Sequence, residues 1–540
     1  MSPPKLKLSF VFLLVFVVFG FYLRFFNIDF PSIGYHNMKE NEYLVPSYYF
    51  YSGNWEGWDF LRRPYYLCGV GEIPCYFEEY PQIPVLSWLA SFGWLLFGVN
   101  FWWPRFLMVL ASVGTIVALY YFVRQLSRNN YVALLSSFIF AFLPLSVFFG
   151  RNFQPESPAL LFAVLASYYF VKWIDEPLLK NIVLAGVFFC ITALLKMTFL
   201  IVLFPLVFVF PFSRIVESSY RKHFVLFVVC FIPFLLWNGV ISGLLNVSSD
   251  LSSNTLKRVD LFRIFGSEYW NQYFPTLKAY TLDNFTSWYF WLAVFGLICM
   301  LFFIRSRISR YSLGYAVALV PYLMILADYF KGHSYYQFPF LPLIAISSAF
   351  ILYVFGIICY SVIRMPFVKY LPLLLLLPTI SAVKERTNVQ FDTIFYGLDV
   401  AGSYIQEHTG QGDAFYMVGE SQSVGVCFAA KRVCPGMPRT NLSKIQLGEQ
   451  LHNISYVFVH IPLGGLQMLQ QYADVWAYMQ SNYSLVSVGG FLRDNSLLPV
   501  YYILKKGGVW NPSSLPQGSL QDYKEYSTKH GVETLYVMSV

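Results

Sequence analysis

LSFVFLLVFVVFGFYLRFFNIDFPSIGYHNMKENEY, residues 8–43, decides how this chain must be read. The run from Leu8 to Phe26 has the apolarity and length of a membrane span, which needs about 17–25 residues. Lys5 and Lys7 precede it, as in a signal peptide, but a signal peptide has an apolar core of only ~7–15 residues and a small-residue cleavage site. This run is longer and no such site follows, so it is read as a retained first span with a cytoplasmic N-terminus. The chain then turns polar, and His36, Lys39, Glu40 and Glu42 stand together just past the bilayer edge.

The remaining sequence agrees. Of 540 residues, 57% are hydrophobic, 20% aromatic and only 12% charged, and the mean hydropathy is +0.53. Soluble domains carry about 25% charged residues, and half of that cannot cover a water-facing surface on a chain this long. The net charge of +8 does not signal a nucleic-acid partner, because the basic residues recur in short groups between apolar runs. Candidate spans fall near 8–27, 105–123, 131–149, 157–172, 181–196, 197–213, 223–244, 287–304, 312–328, 338–361 and 368–383. Arg124 with Arg128, Lys172 with Lys180, Arg214 with Arg221 and Lys222, Arg305 with Arg307 and Arg310, and Arg364 with Lys369 occupy every second linker, on the side of Lys5 and Lys7. That is the positive-inside pattern. The expected fold is a polytopic α-helical membrane protein with about 11 transmembrane helices over 1–383, followed by an extracytoplasmic α/β domain over 384–540.

Three segments are then expected outside: 28–104, 245–286 and the tail. Gln82–Phe97 is apolar, but a full span there breaks the charge alternation. It is read as an interfacial helix with Trp88, Trp94, Trp102 and Trp103 at headgroup level, an ordinary span being the alternative. In the tail, Ala414–Val418, Tyr456–His460 and Val500–Leu504 read as strands, and Asp399–His408 and Leu466–Asn482 as helices. Cys190, Cys230, Cys299 and Cys359 lie in spans and read as inert core residues. Cys68 with Cys75, and Cys427 with Cys434, are outward and closely spaced, which suits local disulfides better than zinc, since no histidine sits at ligand spacing. Sequons begin at Asn246, Asn284, Asn441, Asn453 and Asn482, a weak signal because such triplets are common.

Ionisable residues converge on the outer face in four groups. They are Tyr35 to Tyr43, Tyr76 to Pro81 with Glu78 and Glu79, Arg151 to Glu156, and Lys331 to Gln337 with His333, Tyr335 and Tyr336; Lys196 lies at another outer turn. A bilayer makes such residues costly unless they are solvated or paired, so they are candidates for a site. Each also has a plain structural reading. Glu79 and Glu156 can cap helices, Lys39 can snorkel, His36 can cap loop backbone, Glu40 and Glu42 can be solvated helix-surface charges, and Arg62 and Arg63 loop charges. Carboxylates beside cations suit transfer from a phosphate-bearing donor: a carboxylate accepts the proton of an attacking hydroxyl, and Lys, Arg and Tyr stabilise the departing phosphate.

The order of first span, acidic loop, aromatic-Glu-x-Pro (Tyr76 to Pro81), Leu96-Phe97-Gly98, Arg105 and an acidic turn after the next span resembles the GT-C glycosyltransferases, in particular the dolichyl-phosphate-mannose protein mannosyltransferase and lipid A aminoarabinose transferase group. The resemblance covers roughly the first 380 residues and is densest over 20–160. It implies a polyprenyl-phosphate sugar donor, an active site facing away from the cytoplasm, and a pocket shaped by a first-loop Asp-Glu pair and a second acid. Lys39-Glu40 stands in place of the pair, Glu79 (or Glu78) matches the glutamate before proline, and Glu156 the second acid; His333 to Pro342 is similar to an aromatic stretch before a late span. Lys39 departs from the family's aspartate, so the base is Glu40, Glu79 or Glu156. The expected catalytic residues are therefore Glu40, Glu156 and Glu79, with His36, Lys39, Glu78, Arg151, Lys196, His333, Tyr335 and Tyr336 binding substrate. No cofactor is demanded, though an acidic pocket can hold a divalent cation. The expected partners are the polyprenyl-phosphate sugar, the bilayer, and a protein, glycan or lipid acceptor. The expected compartment is a plasma membrane, or the endoplasmic reticulum in a eukaryote. A polyprenol transporter without chemistry is the rival reading, although transporters place their charges near the midplane and often show two related halves.

Overall fold

A computed structural model describes residues 8–53, 55, 59–61, 82–244, 265–494, 496–512 and 519–539. The readings made for Arg62, Arg63, Cys68, Cys75, Glu78, Glu79 and Asn246 lie outside the described residues. The described chain divides into two compact units, one from 1–28, 81–83 and 104–388, the other from 29–80, 84–103 and 389–540.

The first unit is helical. Among the described residues, eight helices have the length and apolarity to cross a membrane: Leu8–Phe25, Trp102–Ser127, Glu156–Asp175, Tyr220–Leu244, Tyr269–Phe302, Arg307–Ile325, Ser334–Ile363 and Pro366–Asp392. Asn130–Phe142, Leu179–Leu195 and Met197–Phe208 are shorter apolar helices and account for the other three expected segments. Proline explains one shortfall. Leu143 is extended (ψ 134°) before Pro144, so the expected 131–149 span is two pieces, Asn130–Phe142 and Pro144–Phe148. The first span buries only Leu13, Gly20 and Arg24 and leaves Phe10, Phe12, Leu14, Val18 and Phe19 exposed, an outer surface that suits lipid and not water.

Arg24 is fully buried in that span, and its guanidinium is well supplied with partners. Nε donates to Ser112 Oγ (2.8 Å), Nη1 to the carbonyls of Gly20 (2.8 Å) and Ala141 (3.1 Å), and Nη2 to Ser146 Oγ (2.7 Å). At the opposite end of the unit two basic linkers meet on a carboxylate of a third, Asp175 between Lys172 and Lys180. Asp175 accepts from Gln125 Nε2 (2.6 Å), Arg128 and Arg307 Nη1 (2.5 Å). These linkers were placed on one side by charge alone, and the fold brings them to one place.

Helix Tyr269–Phe302 is interrupted at Thr286 (φ 59°, ψ 160°), next to residue 287, where the span was expected to begin. Asn284, expected in an outward sequon, is instead fully buried, its Nδ2 donating to Ser334 O (3.1 Å) and Gln337 Oε1 (2.9 Å). A buried amide with two partners is no glycan acceptor.

The second unit is built on a six-stranded sheet of order β1-β2-β4-β3-β6-β5: β1 (Phe415–Val418), β2 (Tyr456–His460), β3 (Tyr483–Arg493), β4 (Ser496–Lys506), β5 (Ser519–Ser527) and β6 (Val532–Ser539). β1 and β2 are parallel and the other pairs antiparallel. β1 and β2 are wholly buried, so their sequences run continuously apolar, as strands covered on both faces do. The helix expected over Leu466–Asn482 is two, Gly465–Gln470 and Ala473–Asn482. Cys427 and Cys434 form a disulfide.

The loop after the first span is part of this unit's core. Ile33 packs with Leu398, Phe415, Phe458 and Tyr501, and Phe395 N donates to Ile33 O (2.8 Å). A side chain at Gly425 would bring Cβ to 2.8 Å from Ser32 O, so the close approach of loop and tail requires glycine there. Helix Val85–Phe97 has 13 residues. At about 1.5 Å per residue that is roughly 20 Å, short of the ~30 Å core of a bilayer. Leu89, Phe92, Leu95 and Leu96 are exposed on it. Trp94 is not at a headgroup surface as expected: it is fully buried against Tyr51 and Phe428, its Nε1 donating to Asn100 O (2.8 Å).

His460, at the end of β2, is fully buried with Nδ1 3.1 Å from Ser423 Oγ, and burial pushes its pKa down to about 4. Its unfolded value is about 6.5. The unfolded chain therefore binds the extra proton first, and His460 costs no stability above about pH 6.5, then progressively more as pH falls toward 4, to about 3 kcal/mol. Chemical denaturation from pH 7.5 to 4.5 should show this slope in the native protein and a flatter one in His460→Gln. Equal slopes would show that His460 does not set it.

Candidate active site

In the helical unit the residues gather around Glu156. Arg151–Pro155 forms a tight buried turn, and Glu156 opens helix Glu156–Asp175, where the positive helix end favours a carboxylate. Glu156 is 0% exposed. A buried carboxylate needs a cation, and Lys196 supplies it: its ammonium pairs with Glu156 Oε1. Lys196 is the extended residue (φ −162°, ψ 101°) closing helix Leu179–Leu195 and leading into Met197–Val202. Its ammonium lies 4.8 Å from the ring centre of Tyr336 and 5.2 Å from that of Tyr335, within cation–π range. The His333 ring centre is 5.3 Å from that of Tyr335 and 5.9 Å from that of Tyr336.

The segment bearing these rings is held from several sides. Tyr322 Oη donates to Tyr336 O (2.9 Å) and Tyr315 Oη to Pro339 O (2.6 Å). Gln337 accepts from Asn284 and donates to Thr281 Oγ1 (2.9 Å). The structure thus brings Glu156, Lys196, His333, Tyr335 and Tyr336 together, from segments up to 180 residues apart (156 to 336). Arg151 has another use: Nη1 donates to the carbonyls of Phe26 and Asn27 (3.0 Å to the latter), which ties the turn to the end of the first span. Among the described residues, Glu156 Oε2 and both amide atoms of buried Gln154 have no hydrogen-bond partner. Buried polar atoms are ordinarily satisfied, so these are places for a ligand's hydroxyls or for water. Gln154 lies inside the turn that the sequence singled out but was assigned no role.

In the second unit, His36 stands at the start of helix Asn37–Tyr51 in a left-handed conformation (φ 55°), with its ring tilted at 48° to that of Tyr35 (4.1 Å between centres). Glu40 is in the first turn and 4% exposed. Lys39 pairs with Glu42 one turn on and lies 6.0 Å from the Tyr43 ring centre. Asn41 fixes the helix to the loop through Nδ2, which donates to Ser32 O (3.0 Å) and Asn37 O (2.9 Å). His36, Lys39, Glu40 and Glu42 are therefore set on one short, anchored helix. Among the described residues, no group of three or more His, Cys, Asp or Glu is placed to hold a metal ion.

Residues 80–237 match the family model described as dolichyl-phosphate-mannose-protein mannosyltransferase. Two uncharacterised proteins of Aquifex aeolicus (strain VF5) are 28% identical over 141 residues and 31% identical over 139, covering 26% and 24% of this chain. The matched stretch spans only 27% and 33% of those curated relatives' own length. Among solved structures, the archaeal oligosaccharyltransferase AglB from Archaeoglobus fulgidus, in complex with an inhibitory peptide and a dolichol-phosphate, aligns with TM-score 0.59 at 12% identity, over 91% of this chain and 74% of that one. ArnT from Cupriavidus metallidurans, bound to undecaprenyl phosphate, aligns with TM-score 0.55 at 13% identity, over 94% of this chain and 99% of that one. At such identities the likeness is one of fold alone, that of a polytopic helical membrane protein carrying a C-terminal sheet domain.

Proposed function

We propose that this chain is a glycosyltransferase that moves a sugar from a polyprenyl-phosphate donor to an acceptor hydroxyl on the extracytoplasmic face of the membrane. The observation that carries the reading is the buried Glu156–Lys196 pair beneath Tyr335 and Tyr336, with Glu156 Oε2 uncommitted. In one displacement the acceptor oxygen attacks the anomeric carbon, the bond from that carbon to the phosphate oxygen breaks, and the configuration inverts. The acceptor's proton passes to a carboxylate, for which Glu156, Glu40 and Glu79 are the candidates. The departing polyprenyl phosphate takes the electron pair, and Lys196, assisted by Tyr336 and His333, stabilises it. Polyprenyl phosphate is the species this reaction releases, and AglB and ArnT hold dolichol-phosphate and undecaprenyl phosphate, respectively. An oligosaccharyltransferase with this fold speaks for chemistry and against simple transport. The basic linkers gathered at Asp175 face the cytosol in this reading, and residues 29–61 and the tail face outward.

Glu156→Ala and Glu40→Ala should each lower sugar transfer at least 100-fold in proteoliposomes supplied with radiolabelled polyprenyl-phosphate sugar, the scale expected for a general base. Full activity in both variants would remove the mechanism, and a donor left intact by the native protein would favour transport.

The ion pair is tested separately. Lys196→Met alone strands a buried carboxylate and should cost about 3–5 kcal/mol, whereas adding Glu156→Gln should restore most of it. Denaturation of the three variants in one detergent reads the coupling, and additive losses would show the pair is not formed.

Cysteine in place of Ser52 should react with an impermeant maleimide in intact cells, and cysteine in place of Arg305 only after permeabilisation. The reverse pattern would invert the proposed orientation.

A further inference from the structure

The end of the helical unit opposite Arg24 contains a cleft the proposed reaction does not use. Its volume is about 290 Å³, and it is lined by Leu126, Ser127, Arg128, Ser306, Arg307 and Ile308. At about 30 Å³ per water molecule it holds a group much larger than one ion. It lies where helix Trp102–Ser127 ends, helix Glu156–Asp175 ends and helix Arg307–Ile325 begins.

The chemistry of the walls is one-sided. Asp175 holds Arg128 through Oδ2 and Arg307 through Oδ1, so one carboxylate orients two guanidiniums. Each guanidinium has five N–H donors in a fixed fork suited to phosphate, and one carboxylate accepts only a few of them. One negative charge against two positive ones leaves the cleft cationic. Arg305 and Arg310 flank it in sequence; the positive N-terminus of helix Arg307–Ile325 is set against the negative C-termini of helices Trp102–Ser127 and Glu156–Asp175, so the cationic character rests on the arginines. The side chains of Arg128 and Arg307 are 65% and 32% exposed, so both are accessible.

What lies next to the cleft selects among anions. Phe302, Phe303 and Ile304, immediately before the linker, are all strongly exposed, as a lipid-facing surface is. A cationic cleft at the foot of such a surface fits a ligand with a phosphate head and apolar tails better than a soluble phosphate. We propose that this cleft binds the headgroup of an anionic phospholipid, its phosphate received by Arg128 and Arg307 with Asp175 as the positioning residue. In the orientation proposed above it faces the cytosolic leaflet, the side on which anionic lipid attracts basic residues. The proposal concerns a site distinct from the Glu156 cluster and does not depend on the transfer reaction.

The test uses the full chain in nanodiscs containing phosphatidylcholine with or without phosphatidylglycerol. A phosphatidylglycerol analogue with a photoreactive headgroup should crosslink to peptides covering 124–128 and 305–310, and competing phosphatidylglycerol should suppress the label. In native mass spectrometry, Arg128→Gln with Arg307→Gln should reduce retained phosphatidylglycerol at least fivefold, while Arg128→Lys with Arg307→Lys should retain more than the glutamine pair. Crosslinks confined to other peptides in the native protein would overturn the site whatever the variants do. Inorganic phosphate competing as well as phosphatidylglycerol at equal concentration would overturn the lipid assignment.

Discussion

A charge held inside the first span fixes the rest of the helical unit. Arg24 has no access to solvent, so its guanidinium must find acceptors in the protein, and it finds them on Ser112, Ala141 and Ser146 as well as on its own helix at Gly20. An unpaired ion in that setting would cost far more than a hydrogen bond returns. The first span, helix Trp102–Ser127 and the broken segment 130–148 are therefore bound to one registry. Arg151 continues the same tie, from the acidic turn back to Phe26 and Asn27. The turn that leads into Glu156 is thus tied back to the first span.

The same constraint shapes the candidate site. Glu156 and Lys196 neutralise each other in a setting where neither is stable alone, and the aromatic faces of Tyr335 and Tyr336 lie against the cation. The polar contacts made by Asn284, Gln337, Tyr315 and Tyr322 hold the backbone that presents those rings. In the proposed transfer, preorganisation of this kind means that little would have to move as charge develops.

Much of this was legible in the sequence because the bilayer is a severe solvent. Long apolar runs separated by charged linkers mark most of the helical segments, and the charged turn before Glu156 stands out between two of them. Lys196 was visible as a cation at an outer turn, but its partner 40 residues earlier was shown only by the structure. What failed to show was anything set by tertiary packing. β3 carries Gly489 and Gly490, which weaken a strand signal yet are needed where Tyr501 and Leu498 pack against them. Trp94 looked like a headgroup anchor because composition cannot reveal that Phe428 covers it. Arg24 was an overlooked signal: a lone charge in an apolar run is expensive enough to demand a partner.

The second unit is discontinuous in sequence, and this has a consequence for biogenesis. Residues 29–53 leave the ribosome early, but Leu398, Phe415, Gly425, Phe458 and Tyr501, which cover Ile33 and Ser32, are synthesised more than 360 residues later. During translation the helix bearing Glu40 must wait with its core missing. A nascent chain arrested before the tail emerges would present that helix unsupported to chaperones and proteases, because the core around Ile33 is completed only by residues of the tail.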